Sequence, residues 1–237
     1  AAHDQALEQR LEVSTTALAA TAETTAVVTA AQGDFVPESG EFRFHVGAAQ
    51  RPDRPWINVL SNPGFGAQIS EAGGGYSWAV NSRMNQLTAW SNDAVADPPS
   101  EHFLIHDRRG QVLWPVTPGS RCGVAEAASG YRVAHGQGYT QVSHDRGSLQ
   151  VNVSWCVDPH SAVKQVRLRL VNRGHRTRHL RIAGIAEWMM GANRTDRGTV
   201  HTALFRQRLP PAHEAGGRPG GERRLTALLC TQRERAA

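Results

Sequence analysis

Cysteine is scarce in this 237-residue chain. The three that occur, Cys122, Cys156 and Cys230, are odd in number and show no Cys-x-x-Cys spacing. That excludes zinc-ribbon and thioredoxin-type motifs and favours a reducing compartment modestly. Lysine is nearly absent: Lys164 stands alone among 26 basic residues, a bias that suits a GC-rich coding sequence better than a selected arginine surface. Long apolar runs are missing too. Nothing approaches the ~20 residues of a membrane span, and the alanine-rich window from Ala17 to Ala31 is broken by threonines and Glu23. Strong net charge is also lacking from most of the chain. The 26 basic and 21 acidic residues give +5, but Phe205 to Ala237 alone holds seven Arg against three Glu. The first 204 residues are left near neutrality, which argues against a nucleic-acid-binding domain. With 40% hydrophobic and 20% charged residues, the chain has the composition of a folded protein.

What is present reads as β-structure. Residues 1–40 form an N-terminal extension of helical or linker character, with Leu7 and Leu11 at helical spacing and threonine clusters after them. From Glu41 the pattern changes to short apolar runs alternating with polar residues and punctuated by Gly, Pro and Asn-Asp. Strands are expected at Glu41–Val46, Trp56–Leu60, Gly66–Ser70, Tyr76–Val80, His102–His106, Gln111–Trp114, Tyr131–His135, Tyr139–Ser143, Ser148–Val157, Val163–Val171 and His179–Trp188. Val166, Leu168 and Leu170 against Arg167 and Arg169 show the period of two that buries one face and wets the other. The expected fold is all-β, a large antiparallel sandwich over residues 41–204. Past Phe205 the alternation stops. Residues 205–237 read as an irregular tail rich in Arg, Pro and Gly, either a flexible linker or a stretch read out of frame.

Ala72-Gly73-Gly74-Gly75-Tyr76 lacks the Lys-Ser/Thr and the following helix of a phosphate-binding loop, and reads as a glycine turn between strands. His102 and His106 fall four apart in a strand, about 13 Å from each other at strand rise and too far for one ion. His175 and His179 flank an arginine-rich turn, so no metal site is assigned. Asp93, Asp97 and Glu101 cluster, and Glu187 stands beside Trp188; paired carboxylates suit glycoside chemistry, but Asp in such segments also serves turns. His135-Gly136-Gln137-Gly138-Tyr139 is explained by a tight connection. There is no Gly-x-Ser-x-Gly elbow.

Six Trp against six Phe is a high ratio. Trp78 and Trp90 lie in a polar stretch with Asn81, Arg83, Asn92 and Asp93. Indole faces stack on the C–H faces of pyranose rings, while Asn, Asp and Arg satisfy vicinal hydroxyls. These six are the candidate carbohydrate-binding residues. Core or loop-anchoring roles for the two tryptophans stand beside that reading.

Several blocks together carry a resemblance: Pro55-Trp56-Ile57-Asn58-Val59-Leu60-Ser61-Asn62-Pro63-Gly64-Phe65-Gly66, Ser70-Glu71-Ala72-Gly73-Gly74-Gly75-Tyr76-Ser77-Trp78, Trp90-Ser91-Asn92-Asp93, Asp97-Pro98-Pro99-Ser100-Glu101, His135-Gly136-Gln137-Gly138-Tyr139-Thr140 and Ala186-Glu187-Trp188. The stretch from Glu41 to Leu204 resembles the N-terminal β-sandwich, of supersandwich type, of the inverting glycoside phosphorylases, the cellobiose and chitobiose phosphorylase group. It is nearest to the phosphorylase-like part of cyclic β-1,2-glucan synthases. The resemblance implies a sandwich packed on an α/α barrel that carries the general acid and the phosphate contacts. It also implies dimer contacts in some members, a β-glucan or oligosaccharide as ligand, and inorganic phosphate as co-substrate of the full-length enzymes only. No cofactor, nucleic acid or membrane contact is expected of this segment, and a cytoplasmic location is implied, with an inner-membrane parent if that parent is a glucan synthase. The expected function is a non-catalytic, carbohydrate-binding or cleft-shaping domain. The alternative is a structural or dimerisation module without sugar affinity. A free-standing glycosidase or epimerase using Glu187, Asp93 or His135 is a third reading.

Overall fold

Leu149, Val151, Val153 and Trp155 are buried, while Gln150, Asn152, Ser154 and Cys156 between them are only partly so. This is the period of two that lets one strand face a core and water at once. A computed structural model of the chain describes residues 29–30, 32–47, 50–119, 130–209 and 223–232. Its strands in chain order are β1 (Thr29–Ala30), β2 (Gly33–Val36), β3 (Glu41–Val46), β4 (Gln50–Arg51), β5 (Asn58–Asn62), β6 (Phe65–Ser70), β7 (Gly73–Ala79), β8 (Gln86–Thr88), β9 (Glu101–Asp107), β10 (Val112–Pro115), β11 (Tyr131–Gly136), β12 (Tyr139–Arg146), β13 (Leu149–Val157), β14 (Lys164–Asn172), β15 (Leu180–Ala186), β16 (Trp188–Gly191), β17 (Val200–Leu209) and β18 (Arg223–Gln232). A short 3-10 helix spans Arg194–Thr199.

Two antiparallel sheets dominate. One runs β14-β13-β12-β11-β3-β2. The other runs β10-β9-β7-β6-β5, with β15 pairing β9 and with β8 joining β7 to β16. Their inner faces share one core. Phe44, Val46, Tyr131, Val133, Val142 and Trp155 come from the first sheet, and Leu60, Ala67, Ile69, Ile105 and Trp114 from the second. This is the two-layer arrangement of a sandwich, and the all-β expectation holds.

An ion pair crosses between the layers. The Lys164 ammonium of β14 donates to both carboxylate oxygens of Glu101 on β9 and to Ser77 Oγ on β7, at 2.6 Å for the last. The two charged side chains are only 12% and 10% exposed. The one lysine of the chain is therefore a link between sheets.

The two ends of the chain depart from the sequence reading. β2 pairs with β3 and so extends the first sheet into residues read as an extension; residues 1–28 lie outside the described ones. Regular structure also continues past Phe205, because β17 pairs with β18 over its full length, from Val200↔Gln232 to Leu209↔Arg223. None of the described side chains of these two strands is buried, so no alternation of buried and wet faces marks them in the sequence. No helix among the described residues is long and apolar enough to cross a membrane.

Candidate functional site

Tyr76 and Trp78 lie two apart on β7 and so share a face. Their ring centroids are 5.0 Å apart, and Tyr76 stacks on Trp90 at 5.4 Å with a 21° interplanar angle. A line of three aromatic rings results, with Tyr76 buried in the middle and Trp90 36% exposed at one end. The Trp78 indole lies directly over Gly66 of β6, where a Cβ would stand 2.3 Å from the ring. Burial raises the Tyr76 phenol above its ordinary pKa, and a hydrogen bond with Ser82 opposes the shift in part.

Trp90 borders a surface groove of about 250 Å³. Its walls also include Arg54, Ile57, Gln68, Asn92 and Asp93. The loop that carries Asn92 and Asp93 is shaped by hydrogen bonds to its own backbone. Asp93 Oδ1 accepts from the amides of Val95 and Ala96, both at 2.9 Å, and Asn92 sits at φ +50°. Those amides, Ala96 first and then Val95, hold the Asp93 carboxyl below its usual pKa. At neutral pH it is an acceptor and not a proton donor. Trp90 itself is fixed by its amide, which donates to Gln86 Oε1 at 3.1 Å.

Three of the six expected residues, Trp90, Asn92 and Asp93, thus line one groove, and Trp78 reaches it through Tyr76. Asn81 and Arg83 do not line it. They form the connection from β7 to β8, where Asn81 Oδ1 accepts from the Arg83 and Met84 amides at 3.0 and 2.8 Å. Asn81 is thereby a turn former, and the Arg83 side chain is exposed. Nothing in the sequence marks Arg54 or Gln68, because only folding brings the loop of the one and the strand of the other to this groove. Tyr76 carried a usable signal in its two-residue spacing from Trp78.

The other carboxylates singled out in the sequence each hold structure. Buried Asp97 accepts a hydrogen bond from Ser70 Oγ at 2.5 Å. Glu101 is the partner of Lys164. Glu187 lies between β15 and β16 and accepts from Arg194 and Arg197 at 3.2 and 2.9 Å. His135 is likewise held. Its Nε2 donates to the Trp56 carbonyl at 2.9 Å, and its Nδ1 meets Thr140 Oγ1 at 3.0 Å. Burial lowers its pKa, opposed by the Trp56 carbonyl. Tyr139 donates to Glu41, and that bond is the main cause lowering the Glu41 pKa. His102 and His106 stand on β9, paired across to Ile185 and Arg181. Gly73, Gly74 and Gly75 belong to β7 itself and not to a turn: a Cβ on Gly74 would meet Glu101 Cβ at 3.0 Å, and one on Gly75 the Gln68 carbonyl oxygen at 3.1 Å.

Parts of this chain are similar to parts of known proteins. The chain is 35% identical over 164 residues to the cyclic beta-(1,2)-glucan synthase NdvB of Rhizobium meliloti (strain 1021), a match covering 69% of this chain and 6% of that protein. It is 27% identical over 101 residues to the N,N'-diacetylchitobiose phosphorylase of Vibrio proteolyticus, covering 42% of this chain and 12% of that protein. The chain spans a small fraction of either relative. Residues 40–207 match the family described as glycosyl hydrolase 94, supersandwich domain. That match takes in both sheets except β2 and includes the aromatic line, and the chain belongs to this family.

Proposed function

We propose that this domain is a non-catalytic, carbohydrate-binding sandwich that shapes the sugar cleft of a larger glucan-building or phosphorolytic enzyme. In this reading a β-glucan segment lies in the groove with a pyranose face against Trp90. The Asp93 carboxylate, Asn92 and Arg54 take its hydroxyls. Both backbone bonds to Asp93 fall on Oδ1, which suits Oδ2 to a ligand. Trp78 supports the stack through Tyr76, whereas Asn81 and Arg83 act at a distance, one by holding a turn and the other as a charge at the rim.

The observation that carries the reading is Trp90: a half-open indole, stacked from behind and fixed in orientation, beside polar groups in a concave surface. Titrating the full chain with β-1,2-gluco-oligosaccharides by calorimetry tests it. Saturable millimolar binding that Trp90→Ala weakens at least tenfold is expected. A flat titration to high millimolar concentrations would remove independent sugar binding.

The relatives' names suggest the enzyme. A cyclic glucan synthase or a chitobiose phosphorylase needs a catalytic domain, here taken to be an α/α barrel, and the sandwich would pack on it. A second reading, a structural or dimerisation module, is favoured by one feature. Leu204, Phe205, Leu225, Leu228 and Leu229 of the β17–β18 hairpin are all exposed, as a surface meeting another chain or domain would leave them.

A further inference from the structure

The near-neutral charge of the first 204 residues conceals a concentrated positive pole. Three connections far apart in sequence meet at one end of the sandwich: β9 to β10, β12 to β13, and β14 to β15. Hydrogen bonds tie them. The Arg173 amide donates to the Ser148 carbonyl at 2.8 Å, and the Arg108 amide to the His179 carbonyl at 2.9 Å. The Arg178 guanidinium reaches Asp107 Oδ2 and Ser148 Oγ, each at 3.1 Å. Together these connections bring in Arg108, Arg109, Arg146, Arg173, Arg176 and Arg178. Only Asp107 and Asp145 oppose them there, and Asp145 is already paired with Arg132.

The pole is hollow. Arg109, His175, Arg176 and Arg178 line a cavity of about 540 Å³ together with Ser148, Thr177 and Asp107, whose carboxylate is held by Arg178 and by the Arg109 and Gly110 amides. Its loop is organised before any ligand arrives: Asn172 accepts from the Gly174 amide at 3.1 Å and donates to the Arg176 carbonyl at 2.9 Å. The arginines have different duties. Arg178 is spent on Asp107, and Arg146 lies over the Trp114 ring at 4.9 Å. Arg109 and Arg176 have no ion pair among the described residues, and both are exposed. Arg109 Nη1 donates to the Thr177 carbonyl at 3.5 Å, which holds its guanidinium at the rim with its other N–H groups outward. Guanidiniums gathered on a concave, preorganised loop bind tetrahedral oxyanions through forked N–H donors.

We infer that this cavity binds a small phosphate-class oxyanion, inorganic phosphate or a phosphomonoester, with Arg109 and Arg176 as the principal donors and Arg178 as the clamp that sets their loop. The site is separate from the Trp90 groove. Glu101 at the start of β9 lies beside Gly74, close to the groove-lining Gly75, and Asp107 at the other end is about 20 Å away at strand rise. The short, curved row of guanidiniums suits a small oxyanion, whether free or carried as a lipid headgroup.

The test is a heteronuclear NMR titration of the full chain with inorganic phosphate, at ionic strength held constant with chloride. A parallel titration uses a hexose monophosphate, and a third arm uses phosphatidylglycerol vesicles. Saturable shifts at the amides of residues 107–110 and 174–178 are expected, weakened at least tenfold in the double variant Arg109→Gln/Arg176→Gln. Arg43→Gln, exposed on β3 and outside the cavity lining, should leave them unchanged. An unaltered response in the double variant, an equal response to chloride, or silence toward both phosphates with binding to vesicles would each overturn the inference. Both variants alter exposed side chains, and a thermal melt checks that the fold is kept. Loss of sugar binding at Trp90 would not bear on the outcome.

Discussion

His144 is fully buried on β12 with its ring 4.7 Å from that of Tyr131, and neither of its nitrogens has a hydrogen bond of good geometry among the described residues. Burial is the largest cause pushing its pKa from 6.5 down to about 4. The unfolded chain therefore takes up this proton at a higher pH than the folded one. The stabilisation is complete above pH 6.5 and is lost as the pH falls through 4. The difference amounts to about 3 kcal/mol over that window. His135 is shifted the same way and adds to it. Urea unfolding at pH 7 and pH 5 should show the loss, and His144→Phe should remove most of it; an unchanged slope in the variant would refute the assignment. The Lys164–Glu101 pair gives a second test at this scale. Lys164→Met leaves a carboxylate buried without its cation and should cost about 3–5 kcal/mol. The double variant Lys164→Met/Glu101→Leu should recover much of that loss, as read by chemical denaturation.

Among the elements, β6 and β7 form the platform of the site, and Gly66 makes the platform possible. Gly66→Ala would put a methyl carbon into the Trp78 ring, so a loss of about 1–3 kcal/mol is expected together with a changed indole environment. Near-ultraviolet circular dichroism and thermal melts read both effects. The hairpin of β17 and β18 behaves differently because its apolar side chains face outward. Leu228→Ser should shift stability by no more than about 0.5 kcal/mol, while reducing self-association in sedimentation experiments. The long strands were legible because each buries one face: β3, β13 and β14 announce themselves by alternation. β8, β16 and β18 do not, since the first two are short and the third buries neither face. The glycine run read as a turn because composition cannot show that Glu101 and the Gln68 carbonyl occupy the space where its Cβ atoms would be. Trp90, Asn92 and Asp93 could be picked out because they are neighbours in sequence. Arg54 and Gln68 could not, as only folding carries them to the same groove, and the arginines of the positive pole were dispersed for the same reason.

At the scale of the whole molecule, two sheets enclose one core and present two separate surfaces, an aromatic groove near the start of β9 and a cationic cavity at its end. The inner face is not closed everywhere. Ile182 of β15 stands opposite Ile105 yet is 51% exposed. The family is established by sequence and fold, and the proposed role rests on the groove. The measurement that bears on it most directly is the indole N–H spectrum of the full chain during titration with β-1,2-gluco-oligosaccharides. The buried Trp114 and Trp155 serve as internal references. The Trp90 resonance should move saturably, that of Trp78 less, and those of Trp114 and Trp155 not at all. If all of them stay still, or all move together, the groove is not a sugar site.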